Sequence, residues 1–173
     1  MQVIAVVGSK KSGKTTTIEN LIRELTKKGY KVAAIKHVSE PDFTIDTAGK
    51  DTWKFAKAGA KTIISIAANE IATIEKVPIE SLSLETLLKK CTGNDVVFIE
   101  GLKKLGAAKK NVPKIVVVKS MKEALNALET FEPVLAFSGP YSTEALGFKT
   151  PYADALTNPQ KLADIVEKTI LKK

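Results

Sequence analysis

Between residues 3 and 25 the chain passes from a short β-branched run, Val3–Val7, through Gly8-Ser9-Lys10-Lys11-Ser12-Gly13-Lys14-Thr15, into a segment whose apolar residues Ile18, Leu21, Ile22 and Leu25 recur at helical spacing. No other stretch restricts the fold as strongly. The order strand, glycine-bounded loop, helix, with Gly-x-x-x-x-Gly-Lys-Thr in the loop, is the arrangement that holds a nucleoside triphosphate together with Mg²⁺. Phosphate oxygens need several N–H groups converging at close range. Glycines let the backbone turn its amides inward, and the following helix adds unpaired N–H groups and the positive end of its dipole. Gly8, Ser9, Lys10, Lys11, Ser12 and Gly13 therefore read as the cradle. Lys14 is expected to reach the β- and γ-phosphates, Thr15 to give its hydroxyl to Mg²⁺, and Thr16 to bond the α-phosphate. A chance match to four fixed positions is rare at an ordinary glycine usage of ~7%.

Further short apolar runs follow at Val32–Ile35, Ile63–Ala67, Val96–Ile99, Ile115–Val118 and Val134–Phe137. They are continuous rather than alternating, which suits strands covered on both faces, as in a parallel sheet. Gly29 supplies the left-handed residue that ends the first helix. A second helix is read from Asp51 to Ala58, and Leu84, Leu87 and Leu88 mark a third. At the end, Asn158 caps a helix with Pro159 in its first turn and Leu162, Ile165, Val166 and Ile170 on one side. Lys61–Ala67 and Ile71–Glu75 are separated by only three residues, too few for a crossover helix. They read as an antiparallel hairpin at a sheet edge. The expectation is one α/β domain over residues 1–173, a P-loop NTPase with a mostly parallel sheet, helices on both faces and an antiparallel edge hairpin.

Charge and cysteine usage narrow the class. The formal net charge is +8, yet aromatics make up only 6% of the 173 residues and Arg23 is the sole arginine. Single-stranded nucleic acid calls for stacking aromatics, and base or phosphate readout favours arginine, so nucleic acid is not expected as a partner. No apolar run approaches the ~20 residues of a bilayer span, and Val3–Val7 is too short for a signal peptide. With Cys91 as the only cysteine, no intramolecular disulfide forms, and a reducing cytoplasm is the expected compartment.

Phosphoryl chemistry also needs a carboxylate near the metal. Val96-Val97-Phe98-Ile99-Glu100-Gly101 places Glu100 at the C-terminal end of a strand, where ligands of open α/β sheets bind. Glu100 is read as a metal residue. A second acidic group lies in the loop after Ile35, around Asp42, Asp46 and Asp51. Asp46 and Asp51 either reach the metal site or serve locally, Asp51 as the cap of a helix beginning at Thr52. His37, the only histidine, bonds a phosphate or partner, or else orients the loop.

Three blocks together resemble the MobB family of molybdopterin-guanine dinucleotide biosynthesis. They are Gly8–Thr16 (GSKKSGKTT), Ile35–Ala60 (IKHVSEPDFTIDTAGKDTWKFAKAGA) and Val96–Lys103 (VVFIEGLK). The middle block is the most specific, and the blocks cover roughly the N-terminal 100 residues in order. The resemblance implies a GTP-binding adaptor, usually a homodimer with low intrinsic hydrolysis. Such an adaptor assists the guanylyltransferase that joins GMP from GTP to molybdopterin, with molybdopterin as a further ligand. It also implies nucleotide and metal roles for Lys14, Thr15, Asp46, Asp51 and Glu100, with Asp46 at the reaction centre and Asp51 at the metal. The histidine-rich stretch that follows "KH" in many relatives is reduced here to Val38-Ser39-Glu40.

Other classes stay in view. A small-molecule P-loop kinase would want an arginine-bearing lid, and Arg23 lies on the polar side of the first helix. A nickel-type metallocentre-assembly GTPase would want clustered Cys and His, and Cys91 and His37 are far apart in sequence. After Ile115–Val118 comes Lys119-Ser120-Met121-Lys122, without the aspartate that reads guanine, so the expectation of GTP over ATP rests on the resemblance.

Overall fold

The computed structural model describes residues 1–40, 42–101 and 111–170. The lysine pairs Lys103-Lys104 and Lys109-Lys110 and the last two residues of the VVFIEGLK block lie outside the described residues. The elements are β1 (Gln2–Gly8), α1 (Lys14–Lys27), β2 (Val32–Lys36), α2 (Asp51–Lys57), β3 (Thr62–Ile66), β4 (Ile71–Glu75), α3 (Leu84–Lys89), β5 (Val96–Glu100), β6 (Lys114–Val117), α4 (Met121–Thr130), β7 (Val134–Ser138) and α5 (Pro159–Ile170). The chain divides into two compact units. One comprises Met1–His37 with Leu87–Lys173; the other is Val38–Thr86.

The first unit is built on a five-stranded sheet in the order β2-β5-β1-β6-β7, every neighbouring pair parallel. Strand alternation sends Ile4, Val6, Val96, Phe98, Ile115 and Val117 into a cluster with Ile18, Leu21 and Leu25 of α1 and Leu162, Ala163 and Val166 of α5. The residues between them, Ala5, Val7, Val97, Ile99 and Val116, are buried as well. Burial of both alternating sets explains why the strands are continuous apolar runs. The step from β1 to β2 runs towards one edge of the sheet and the step from β6 to β7 towards the other. Right-handed crossovers therefore put α1 and α4 on opposite faces. At the switch point stands β1, flanked by β5 and β6.

Local signals account for the helix ends. Gly29 takes φ 88° just beyond α1, and the Asn158 side chain accepts from the Lys161 amide (3.2 Å) at the start of α5. Helix α4 carries its sequence signal at its start rather than in its periodicity. Its signal is Ser120-x-x-Glu123: the Ser120 hydroxyl accepts from the Glu123 amide (3.3 Å), and the Glu123 carboxylate accepts from the Lys119 amide (2.7 Å), a reciprocal cap close to a capping box. At α2 the expected cap is corrected. Lys50 occupies the N-cap position, and Asp51 is the first helical residue.

The second unit contains α2 and the β3–β4 hairpin. The strands are antiparallel, with Ile66 opposite Ile71 and Thr62 opposite Glu75. The expected edge position is corrected: β3 and β4 form their own two-stranded sheet and join no edge of the five-stranded one. Ile63 turns to the buried side, whereas Ile64, Ile66 and Ile71 are exposed.

Candidate functional site

At the C-terminal end of β1 the chain makes the turn that the glycines permit. A Cβ on Gly8 would lie 2.4 Å from the Val117 carbonyl oxygen and 2.7 Å from the Ser12 hydroxyl. Only glycine therefore allows the loop to press against β6. Lys11 has φ 58° and Gly13 φ 98°, so the backbone turns twice through the left-handed region before α1 begins. A non-glycine residue held there costs roughly 1–2 kcal/mol, a strain typical of loops shaped by function. Thr17 fixes the exit, its hydroxyl and amide both donating to the Gly13 carbonyl (3.0 and 2.9 Å). The amides of the first turn of α1, including those of Lys14, Thr15 and Thr16, have no acceptor within the helix.

Side chains complete the cradle. The Lys14 ammonium donates to the Ser9 carbonyl at 2.7 Å, so it is folded back over the loop. From the loop after β6, the Lys119 ammonium donates to the Lys10 carbonyl at 3.2 Å. The sequence carries no sign of this brace, because Lys119 and Lys10 are 109 positions apart. The hydroxyl oxygens of Ser9 and Ser12 are buried without a hydrogen-bond partner among the described residues. A buried hydroxyl left unsatisfied costs about 1–3 kcal/mol, so both mark the loop as built to meet a polar ligand.

Beside the loop, β5 ends on Glu100. The Thr15 hydroxyl donates to its carboxylate, 2.9 Å from one oxygen and 3.1 Å from the other. Eighty-five positions apart in sequence, the two residues read as metal residues meet here. The side chain of Glu100 is only 13% exposed. Lys36, at the end of β2 and directly opposite Glu100 in register, brings its ammonium to 3.3 Å from the Thr15 hydroxyl and 3.6 Å from the carboxylate. His37 acts through its backbone, donating its amide to the Glu100 carbonyl (3.0 Å). Gly101 has φ 97°, and a Cβ there would come within 3.2 Å of the His37 Cβ. The glycine after Glu100 thus lets β2 and β5 close together at the sheet end.

The remaining candidates have local partners of their own. Asp46 and Asp51 belong to the second unit. The Asp46 carboxylate accepts from the Thr47 amide and the Thr52 hydroxyl, each at 2.9 Å, so one of its oxygens ties down the start of α2. Asp51 is exposed and pairs with Lys54 at 3.1 Å. Arg23 pairs with Glu19 (2.8 Å) and Asn20 (2.7 Å) on the outside of α1, about 12 Å along the helix from Thr15 at 1.5 Å per residue. Burial pushes the Cys91 thiol above its ordinary pKa, away from reactivity. Among the described residues, no three His, Cys, Asp or Glu side chains gather as a metal-binding group, and no helix is long and apolar enough to cross a membrane.

A cavity of about 210 Å³ lies behind the loop, between Gly8, Ser9, β6 and the inner side of α4. It includes none of Lys14, Thr15 and Glu100, and it is smaller than the ~300 Å³ at which small-molecule pockets begin.

Comparison with known proteins gives a family and a fold. Residues 3–138 match the family model of molybdopterin guanine dinucleotide synthesis protein B, MobB. A putative molybdopterin-guanine dinucleotide biosynthesis adapter protein of Methanocaldococcus jannaschii is 39% identical over 121 residues, 69% of this chain and 48% of its own length. The chain thus spans about half of that relative. A molybdopterin-guanine dinucleotide biosynthesis adapter protein of Haemophilus influenzae is 31% identical over 145 residues, 82% of this chain and 76% of its own. Among solved structures, a molybdopterin-guanine biosynthesis protein B superposes with a TM-score of 0.75 at 23% identity, covering 98% of this chain and 99% of that one. Bacillus subtilis MobB does so at 0.72 and 25% identity, covering 97% of each chain. At such identities the superpositions speak for the fold.

Proposed function

This chain belongs to the MobB family, and on that premise we propose that it is a GTP-binding adaptor of molybdenum cofactor biosynthesis. In this reading it assists the guanylyltransferase that forms molybdopterin-guanine dinucleotide, with slow hydrolysis of its own. The observation that carries the reading is the contact between the Thr15 hydroxyl and the Glu100 carboxylate at the rim of a glycine loop. A hydroxyl at the helix start and a strand-end carboxylate are hard oxygen donors of the kind Mg²⁺ takes through one or two protein groups and several waters. When bound, Mg²⁺ would neutralise charge on the β- and γ-phosphates.

The chain's own residues do the rest. Gly8–Gly13 and the first turn of α1 present amides to the phosphates, and the buried Ser9 and Ser12 hydroxyls gain partners. Lys14 transfers its ammonium from the Ser9 carbonyl to phosphate oxygens. No arginine is supplied at the γ-phosphate, because Arg23 is engaged on the outside of α1, and this supports a binding role over rapid turnover. The assignment of Asp46 to the reaction centre and of Asp51 to the metal rests on the resemblance of the Ile35–Ala60 block and is part of the proposal. So are the cytoplasmic setting and molybdopterin as a further ligand. Homodimer formation is supported by the second unit, whose hairpin leaves Ile64, Ile66 and Ile71 exposed on one face. A two-stranded sheet is marginal without something to pack upon.

The test is reconstitution of the guanylyltransferase with molybdopterin, GTP and Mg²⁺. Dinucleotide formation is expected to rise on adding the wild-type chain and to return to the unassisted level with Lys14→Ala. No stimulation at any GTP concentration, with no complex between chain and transferase, would overturn the adaptor reading. Preference for ATP in parallel calorimetric titrations would favour a kinase instead.

A further inference from the structure

Lys36 enters the site without a role assigned to it. Its ammonium stands within 3.3 Å of the Thr15 hydroxyl and 3.6 Å of the Glu100 carboxylate, the two groups read above as the metal's residues. A positive charge in contact with both already occupies the electrostatic position of a divalent cation. The two partners of this ion pair differ in freedom. Glu100 is held by strand pairing to β1 and β2, by the His37 amide on its carbonyl and by the Thr15 hydroxyl on its carboxylate. The Lys36 side chain is 55% exposed and carries its charge on a flexible four-carbon stem. When a cation approaches the pair, the ammonium is the group that can leave.

We propose that Lys36 is a resident counter-ion of the metal site. It holds Glu100 and Thr15 in place while no divalent cation is bound, and it must be displaced when one binds. The proposal rests on the reading of Thr15 and Glu100 as metal residues. Its consequence is coupling. A divalent cation arriving alone has to displace Lys36 with only water to receive the displaced charge. One arriving with a triphosphate brings anionic oxygens that both coordinate the metal and accept the ammonium. Lys36 thereby disfavours metal binding to the nucleotide-free protein and links metal entry to nucleotide entry.

The experiment is titration of the nucleotide-free chain with Mn²⁺, followed by electron paramagnetic resonance, for wild type, Lys36→Met and Lys36→Arg. Binding of a non-hydrolysable GTP analogue in EDTA is measured in parallel. Lys36→Met is expected to tighten Mn²⁺ binding about tenfold, within the range of ordinary coupling between sites. Lys36→Arg, which keeps the charge, is expected to stay near wild type. Because the side chain is exposed, neither variant threatens folding. Unchanged Mn²⁺ binding in Lys36→Met overturns the proposal. So does a loss of analogue affinity in EDTA without a change in Mn²⁺ binding, which would make Lys36 a phosphate ligand. A wild-type chain that binds no nucleotide under any condition defeats the nucleotide-binding reading instead, and the Mn²⁺ titrations still decide the part played by Lys36.

Discussion

Glu100 is the residue on which the proposed metal site turns. Thr15 is placed by the start of α1 wherever the phosphate loop forms, but its hydroxyl has a carboxylate to meet only because β5 lies beside β1 with Glu100 at the matching height. Glu100→Gln keeps the shape and removes the charge. It is expected to raise the Mg²⁺ concentration needed for triphosphate binding by about 10- to 100-fold, the usual cost of losing a group that holds a metal or its waters, with the melting temperature nearly unchanged. Calorimetry at graded Mg²⁺ checks this. An unaltered Mg²⁺ dependence would reduce Glu100 to a strand-end acid. The Glu100 position was legible in the sequence, since four apolar residues followed by an acid and a glycine describe a strand running into a turn. The neighbouring part of Lys36 was not, because a lysine after an apolar run carries no sign of which strand will lie beside it.

Between elements, the best-defined polar junction joins the end of α1 to α5. The Lys28 ammonium pairs with Asp164 at 2.5 Å and Glu167 at 2.6 Å, and the Tyr30 hydroxyl donates to Glu167 at 3.0 Å. The hydrogen bond from Lys28 holds both carboxyls below their ordinary pKa, with Tyr30 adding to the effect on Glu167. The same bonds raise Lys28 above its ordinary value. Carboxyls lowered in the folded state contribute stability above their unfolded pKa and lose it as pH falls through the folded value. A raised lysine contributes below its unfolded pKa and loses it as pH rises through the folded one. The junction is thus intact at neutral pH and fails on the acid side first. All these groups are partly exposed, so the whole effect is modest. Lys28→Met is expected to lower the melting temperature by a few degrees near neutral pH and to leave less of a decline between roughly pH 5 and pH 3. A decline as steep as that of wild type would remove the junction from the acid sensitivity of the fold.

For the molecule as a whole, the exposed isoleucines of the hairpin bear on assembly. Ile64, Ile66 and Ile71 are 60%, 75% and 69% exposed, and full burial of one such side chain stabilises by about 1.5–3 kcal/mol. Substituting Ile64→Lys together with Ile66→Lys puts two like charges on that face. The proposed homodimer is expected to weaken by roughly 100-fold or more, read as a shift to the monomer mass in light scattering or sedimentation. Triphosphate affinity per chain should stay within a few-fold of wild type if the variant remains folded by circular dichroism. A dimer of undiminished stability in the double variant would place the interface elsewhere.

Local chemistry determined a great deal by itself. Glycines at 8 and 13 with Lys14 and Thr15 specify a phosphate loop because backbone freedom and helix-start amides are properties of adjacent residues. Continuous apolar runs at β1, β5 and β6 specify strands buried on both faces, whereas the run in β3 is buried only at Ile63, and Asn158 with Pro159 specifies a helix start. Tertiary structure decided which strands become neighbours. That choice brings Glu100 and Lys36 to Thr15, ties Lys119 to the Lys10 carbonyl, and gives β3 and β4 a sheet of their own. Side-chain pairing across a sheet depends on strand order and register. Both are set by how whole faces of helices and strands bury one another, and no window of adjacent residues contains that information.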